Sequence, residues 1–317
     1  MKKDFSGQLR TRNAKRLCTD LAAAVLFALK LSVNIVPSSV HAIYQTAGKE
    51  QLLAERQKIG SIAPGQAVIT PAFDLPAIVI NGDEGTKIDV SLKSTSSAWR
   101  PGTGYVLNEE TNQFFTWLCA VPRGDVSGTL VVDGKEYDVK GTGYHDHQWP
   151  SVQTFFFWNQ WVWARQQNDD YTMVLFDCVA PAANDYRRIP IFFIEDKEGN
   201  VIFDNTDTET CRVEIPETMV HDKCGRTYPA VSRYIFTKGD TTVEYTLTAG
   251  KEFVYTDHYA IAPAPLKAIF DAKGVDTKYS RFAATGDFIM KKDGETVLEF
   301  SGELLYELES FTKNYVL

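Results

Sequence analysis

Turn dipeptides recur along this chain at the spacing of β-hairpins, and they separate short runs of apolar and β-branched residues. Asp133-Gly134 lies between the runs 129–132 and 136–139, and this dipeptide tolerates the positive φ angles of a type I′ turn. Three later runs turn in the same way, at Gly199-Asn200, Gly239-Asp240 and Asp293-Gly294. Successive hairpins predict an antiparallel meander that closes into a barrel or a sandwich.

Helix signals are few, and no segment predicts a nucleotide-binding fold. Residues 266–273 follow two prolines and precede Gly274, so we expect a short helix there. Residues 49–58 are a second helix candidate, and 304–311 fit either a helix or a strand. The sequence has no βαβ alternation, no G-x-G-x-x-G after a strand and no P-loop. We therefore predict an all-β fold and no nucleotide partner.

The composition fits a globular protein that binds no nucleic acid. Of the 317 residues, 44% are hydrophobic and 12% aromatic, which suffices for one large core or two moderate ones. The formal net charge is −8, and no basic stripe occurs beyond the first 16 residues. This balance opposes the phosphate backbone, so we expect no nucleic-acid partner.

Residues 1–42 resemble a secretory signal peptide. Basic residues precede an apolar run over 21–36, and Val40-His41-Ala42 places small residues at a cleavage position. Lys30 interrupts the run, which is short and charged for a membrane span. Two interpretations stay open: a signal peptide for secretion or the endomembrane system, or a weakly structured leader or misassigned gene start on a cytoplasmic protein. Either way, we expect membrane contact at most through this leader.

The five cysteines show neither a zinc-binding nor a thioredoxin pattern, because no two of them form a C-x-x-C pair. Without the leader, four remain: Cys119, Cys178, Cys211 and Cys224. Cys211 and Cys224 would close the natural short disulfide loop. Isolated buried thiols are the alternative.

One segment, 141–165, gathers most of the residues suited to chemistry, and it begins with the run Gly141-Thr-Gly-Tyr-His-Asp-His-Gln-Trp-Pro150. Because side chains alternate along a strand, His145 and His147 should share one face, with Tyr144 and Asp146 on the other. The histidine pair suits general acid–base catalysis or metal ligation, and hydrogen-bonded structural histidines are the alternative.

A metal site lacks support, because its third ligand would have to come from the remote Asp257 or His258 without any motif. We therefore expect no metal.

The same segment also predicts a strand face that mixes aromatic and polar side chains. The residues on that face are Asn159, Trp161, Trp163 and Arg165. A buried guanidinium needs a carboxylate or a ligand, and Asp146 and Asp177 are candidate partners for Arg165. The tryptophans indicate either core packing or an aromatic pocket that holds one apolar ligand.

The run Val121-Pro-Arg-Gly-Asp-Val-Ser-Gly-Thr-Leu-Val-Val-Asp-Gly134 precedes the G-x-G-Y-H-D-H-x-W and W-x-W motifs of that segment. In this order the three stretches resemble the hydroxyneurosporene synthase and AttH-like lipocalin family. This family includes carotenoid 1,2-hydratases, kievitone hydratase and fungal Diels-Alderases. The resemblance covers residues 99–317.

The resemblance implies two lipocalin-like antiparallel β-barrels, a substrate pocket in or between them, and no metal or organic cofactor. We place the first domain at 43–143 and the second at 144–317. Two features depart from the family pattern. Pro150 stands where such sequences commonly have glycine, and the first half is short for a complete barrel.

The expected function is a cofactor-independent, Diels-Alderase-like cyclase for an apolar polyketide or terpenoid intermediate of secondary metabolism. Such a cyclase folds a flexible polyene and hydrogen-bonds the dienophile carbonyl, which suits an aromatic pocket with few polar anchors. A hydratase would instead need Asp146 or Asp177, with a raised pKa, to protonate an isoprenoid-type double bond. A non-catalytic carrier would need only the pocket, and the absence of G-x-S-x-G removes support for a serine hydrolase.

The predicted catalytic residues are Tyr144, His145, Asp146, His147 and Asp177. The predicted substrate-binding residues are Trp149, Asn159, Trp161, Trp163, Arg165, Tyr234, Tyr255 and His258, with Arg281 as a further candidate.

Overall fold

A computed structural model describes residues 75–81, 87–102, 104–108, 112–132, 134–148 and 150–317. The leader, the helix candidate at 49–58 and Trp149 lie outside these residues. The chain divides into two compact units, which are Met1–Tyr105 with Thr116–Trp149 and Val106–Phe115 with Pro150–Leu317.

The first sheet has five strands. They are β1 (Leu75–Asn81), β2 (Lys87–Ser94), β3 (Tyr105–Asn108), β4 (Gln113–Val132) and β5 (Lys135–Gln148). The order is β1-β2-β4-β3, with β5 also paired to β4, and the pairs β1–β2, β2–β4 and β4–β5 are antiparallel. The unit boundary at Trp149 falls after β5, whereas the expected domain boundary at 143/144 lies inside this strand.

Gly143 on β5 shows why the histidine motif begins with small residues. A Cβ atom at this position would lie 2.7 Å from Cγ2 of Val126 and 2.8 Å from Cδ1 of Leu92. Both neighbours belong to the buried core, so β5 approaches them closely only where no side chain intervenes.

The second sheet has nine strands. They are β6 (Gln160–Gln167), β7 (Tyr171–Val179), β8 (Arg188–Asp196), β9 (Val201–Asn205), β10 (Cys211–Val220), β11 (Thr227–Lys238), β12 (Thr241–Asp257), β13 (Val275–Lys292) and β14 (Glu295–Thr312). Their order is β10-β11-β12-β13-β14-β6-β7-β8-β9, so β14 pairs with both β13 and β6. All the neighbouring pairs in this sheet are antiparallel.

The hairpins predicted from turn dipeptides are confirmed. The turns join β4 to β5, β8 to β9, β11 to β12 and β13 to β14. At the last of these, Asp293 has φ 51° and Gly294 has φ 83°, as the type I′ turn requires. The ambiguous run 304–311 lies within β14 and is therefore a strand.

Helices are short and few among the described residues, and they are α1 (Thr154–Phe157), α2 (His258–Ile261) and α3 (Ala264–Lys273). The predicted helix at 266–273 is confirmed as α3, which ends at Gly274 with φ 68° in the left-handed region. Within the described part of the chain, no helix is long and apolar enough to cross a membrane.

The nine-stranded sheet curls around one apolar core. Phe192 of β8 and Phe236 of β11 stack with ring centroids 5.1 Å apart, although five strands lie between β8 and β11 in the sheet order. The same core includes Val162 and Ala164 of β6 together with Tyr245 of β12. An open, flat sheet could not bring these side chains together, so the expected all-β, barrel-like architecture is confirmed.

Of the two alternatives left open for the cysteines, the disulfide between Cys211 and Cys224 is not formed. Both are free thiols, as are the buried Cys119 and Cys178, so the alternative of isolated thiols describes these four residues. The nine-stranded sheet already supplies a large core for this unit, so it does not depend on a covalent cross-link.

Candidate active site

Strand β6 directs two tryptophans away from the core of the curled sheet. Val162 and Ala164 point into the core, so Trp161 and Trp163 lie on the outer face, as the two-residue period predicts. The ring of Trp161 packs edge to face against Phe176 at 5.6 Å and Phe311 at 4.9 Å. The outer face therefore carries its own aromatic cluster.

Glu307 on the neighbouring β14 anchors the polar part of this face. Its Oε1 accepts a hydrogen bond from Nε1 of Trp161 at 3.1 Å, and its Oε2 accepts one from the hydroxyl of Tyr279 at 2.7 Å. Oε2 also accepts from Nε of Arg281 at 3.2 Å and from Nη2 at 3.0 Å. One buried carboxylate thus orients an indole from β6 and a phenol and a guanidinium from β13.

Arg281 is held rigidly, and part of its donor capacity remains available. Its side chain is 2% exposed, and its Cζ lies 5.4 Å from the ring centroid of Tyr279. Burial lowers the pKa of Arg281, but the charge of Glu307 raises it above the usual value overall. Nη1 takes no part in the hydrogen bonds to Glu307. A fixed cation with a spare donor can receive a carbonyl oxygen.

Tyr279 and His258 extend this network towards α2. Burial, together with the nearby carboxylate of Glu307, raises the pKa of Tyr279 well above its usual value, so its hydroxyl stays protonated. The His258 ring lies 6.1 Å from the Tyr279 ring, and burial lowers the pKa of His258, which favours neutral imidazole. We refer to Trp161, Tyr279, Arg281 and Glu307 as the outer-face cluster.

Asp177 lies on the opposite, inward side of the same sheet. Its Oδ2 accepts hydrogen bonds from Nη1 of Arg188 at 2.5 Å and from the Tyr234 hydroxyl at 2.9 Å. Burial raises the pKa of Asp177, although Arg188 and Tyr234 act to lower it. Oδ1 has no hydrogen-bond partner within the described residues. The cation paired with Asp177 is therefore Arg188, whereas Arg165 donates to Gln167.

The histidine motif lies on β5, in the first unit. Tyr144 donates to Oδ2 of Asp146 at 3.1 Å, which agrees with their expected common face, and Trp117 donates to the same oxygen at 2.9 Å. Burial, followed by the charge of Asp146, raises the pKa of Tyr144 well above its usual value. The motif thus builds a buried carboxylate with a phenol and an indole donor.

The two histidines of the motif have different surroundings. Burial lowers the pKa of His145 to about 4, so it is neutral near pH 7, and its Nδ1 has no partner among the described residues. His147 is half-buried and lies opposite Leu118 of β4. Their catalytic roles remain predictions.

Two predicted substrate-binding residues make contacts elsewhere in the second unit. Asn159 donates through Nδ2 to the Asn314 carbonyl at 3.0 Å and accepts from the Thr312 hydroxyl at 2.8 Å. The Tyr255 ring stacks on His221 with centroids 5.1 Å apart. Asn159 therefore fixes the last described residues, and Tyr255 belongs to a separate cluster.

Sequence reasoning missed Glu307, Tyr279 and Arg188. Glu307 lies in the run that fitted either a helix or a strand, so its face could not be assigned. One available signal was the two-residue alternation of Leu304, Tyr306 and Leu308, which places Glu307 on the other face. Among the described residues, no group of three or more His, Cys, Asp or Glu side chains could hold a metal ion.

The chain is similar to several solved structures that share its fold. A putative AttH from Nitrosomonas europaea matches with a TM-score of 0.51 and 17% identity, over 78% of this chain and 68% of that one. CghA, solved with Sch210972, matches with a TM-score of 0.50 and 11% identity, over 75% of this chain and 65% of that one. Kievitone hydratase from Nectria haematococca has a TM-score of 0.49 and 14% identity, over 80% and 72% of the two chains.

The chain thus spans less than two thirds of the length of CghA. No curated protein sequence matches it. The family model described as Diels-Alderase-like matches residues 69–222, which include β4, β5 and the histidine motif. Residues 69–222 are therefore similar to the Diels-Alderase-like family, in agreement with the resemblance carried by the motifs.

Proposed function

We propose that this protein is a cofactor-independent, Diels-Alderase-like cyclase that acts on an apolar polyketide or terpenoid intermediate. The observation that carries the proposal is Arg281, a buried cation with a spare Nη1 donor beside aromatic rings. The Diels-Alderase-like match over residues 69–222 supports the reaction class.

A cycloaddition of this kind needs little proton transfer. The dienophile becomes more reactive when its carbonyl oxygen accepts a strong hydrogen bond, because charge builds on that oxygen in the transition state. Nη1 of Arg281 would supply that bond, while Glu307 fixes the guanidinium in advance. Trp161 and Tyr279 would offer apolar surface against which a flexible polyene can adopt its reactive conformation.

A hydratase is the second candidate, and Asp177 is the observation in its favour. Burial raises its pKa, and Oδ1 has no partner within the described residues, as suits a carboxylic acid that donates a proton. However, Asp177 also forms an ion pair with Arg188, which favours the carboxylate. We therefore favour the cyclase.

The test uses purified protein and a linear probe that carries a conjugated diene tethered to an α,β-unsaturated ketone. Mass spectrometry of the product separates the functions, because a cyclase gives an isomer and a hydratase adds one water. We expect an isomeric product, and Arg281→Met should lower its rate about 100-fold. Arg233→Met is the matched control, since Arg233 pairs with Glu244 at the surface and should leave the rate unchanged.

A gain of one water that depends on Asp177 would replace the cyclase by the hydratase. Tight binding of an unchanged probe, with the same affinity in Arg281→Met, would instead support a carrier.

A further inference from the structure

A cluster outside the outer-face cluster surrounds the turn between β10 and β11. The turn is closed by hydrogen bonds from the His221 amide to the Arg226 carbonyl and from the Gly225 amide to the His221 carbonyl, each 2.8 Å. Gly225 takes a φ of 69°, which favours glycine. These bonds fix His221 and Cys224 on one rigid turn.

The three side chains of this cluster form a chain of hydrogen bonds. Sγ of Cys224 lies 3.2 Å from Nδ1 of His221, and Nε2 of His221 lies 2.7 Å from Oε1 of Glu252. A single tautomer satisfies both contacts: Nε2–H donates to the carboxylate and Nδ1 accepts from the thiol. This is the arrangement of a nucleophile, a base and a group that orients the base.

The charge of Glu252 is maintained although the residue is partly buried. Burial raises its pKa, but hydrogen bonds from Lys223 and His221 lower it below the usual value overall. Nζ of Lys223 lies 2.6 Å from Oε2 of Glu252. An ionised Glu252 stabilises the imidazolium that forms when His221 takes a proton.

Two tyrosines lie around the thiol and its base. Cys224 is half-buried, and the rings of Tyr255 and Tyr228 flank His221 at 5.1 Å and 5.5 Å. The Tyr228 hydroxyl lies 3.7 Å from Sγ, where it can donate to a thiolate. A thiolate is a soft, polarizable nucleophile, and the β-carbon of an α,β-unsaturated carbonyl compound is a soft electrophile of the matching kind.

We propose that Cys224 is a nucleophilic thiol that adds to α,β-unsaturated carbonyl compounds, with His221 as its base and Glu252 as a positioning residue. The thiol proton moves to Nδ1 of His221 while sulfur forms a bond to the β-carbon. The electrons of the carbon–carbon double bond shift to the carbonyl oxygen as an enolate. The enolate carbon then takes the proton from Nδ1, which completes the addition and restores His221.

Cys211 provides a comparison within the same chain. It lies at the start of β10 and is half-buried, like Cys224. Burial raises the pKa of Cys211 to about 12, which keeps its thiol protonated. Cys211 and Cys224 are similarly exposed, but their surroundings differ. A difference in their reaction rates therefore reports activation of the sulfur and not its exposure.

The experiment measures addition of N-ethylmaleimide to the full chain, with the modified cysteine identified by peptide mass spectrometry. At about pH 6, we expect Cys224 to react at least about tenfold faster than both Cys211 and glutathione. His221→Asn should lower this rate about tenfold, and the difference should disappear near about pH 9, where thiols ionise without help. Glu252→Gln should give a smaller loss, while Cys211→Ser should change nothing at Cys224.

The pH dependence distinguishes a base from a structural histidine, because a packing defect would persist at high pH. If His221→Asn does not fold, the native chain is compared with the same chain in urea, where the advantage of Cys224 should vanish. Equal rates at Cys224 and glutathione near about pH 6, or an unchanged rate in folded His221→Asn, would overturn the proposal.

Discussion

Arg281 and Glu307 form an ion pair across β13 and β14 in which the two side chains are 2% and 0% exposed. Two further donors, from Trp161 and Tyr279, also bind the carboxylate. Removing a charge from water is costly, so such a pair persists only when its partners are well placed. Each partner therefore depends on the other for stability.

Glu307→Gln should destabilise the protein, because it leaves the buried guanidinium of Arg281 without a counter-charge. We expect a loss of about 3–5 kcal/mol in the free energy of unfolding, measured by urea titration. Glu299→Gln, at an exposed position of the same strand, is the control and should change little. Equal stabilities of the two variants would show that the pair contributes nothing to the fold.

His145 should make stability fall in mild acid. Its pKa in the folded protein is about 4, below the value of about 6.5 expected in the unfolded chain. The unfolded chain therefore binds the proton first, so the contribution is present above about pH 6.5 and is lost as the pH falls towards 4. The loss should approach about 3 kcal/mol in urea titrations, and His145→Gln should flatten this part of the profile.

Asp177 should make stability fall as the pH rises, whereas His145 makes it fall as the pH drops. Its folded pKa is raised by burial, so the folded state holds the proton more tightly than the unfolded chain. Its contribution is present below the ordinary aspartate pKa of about 4 and is lost as the pH rises through the folded pKa. Asp177→Asn should remove this decline from the unfolding profile, while Asp170→Asn, at an exposed ion pair with Lys197, should retain it.

Gly286 should tolerate no side chain, because it lies against a buried amide. Gln166 donates from Nε2 to the carbonyls of Gly286 and Gly302, and Tyr245 donates to its Oε1. A Cβ at Gly286 would lie 2.3 Å from Oε1, whereas one at Gly302 would lie 3.3 Å from Nε2. Gly286→Ala should therefore cost about 1–3 kcal/mol in thermal unfolding, and Gly302→Ala should cost clearly less.

The local parts of the fold were predictable because their signals are local. Each hairpin is specified by a turn dipeptide between alternating residues, and α3 by its prolines and Gly274. The pairing of β6 with β14 carries no such signal, since it joins Leu308 to Val162 across most of the second unit. Only the packed core selects that partner.

In the candidate site, too, the features with a local sequence signal were predictable and those that depend on non-local strand pairing were not. The common face of Trp161 and Trp163 was predictable from the two-residue period within one strand, but not that this face points away from the core. The carboxylate that orients Trp161 was not, because Glu307 reaches it through the non-local pairing of β14 with β6. Asp177 was a candidate partner for Arg165, whereas the cation that pairs with it is Arg188 of the adjacent strand β8.

The position of β14 also constrains how the second unit can assemble. This strand is the last of the nine along the chain, yet it lies in the middle of the sheet order, between β13 and β6. A ribosome releases β6 to β9 and β10 to β13 first, and until β14 follows, the edges of β6 and β13 that it will cover stay unpaired. The two halves can join into one sheet only after β14 has been synthesised, so β14 is the strand that completes the core of this unit.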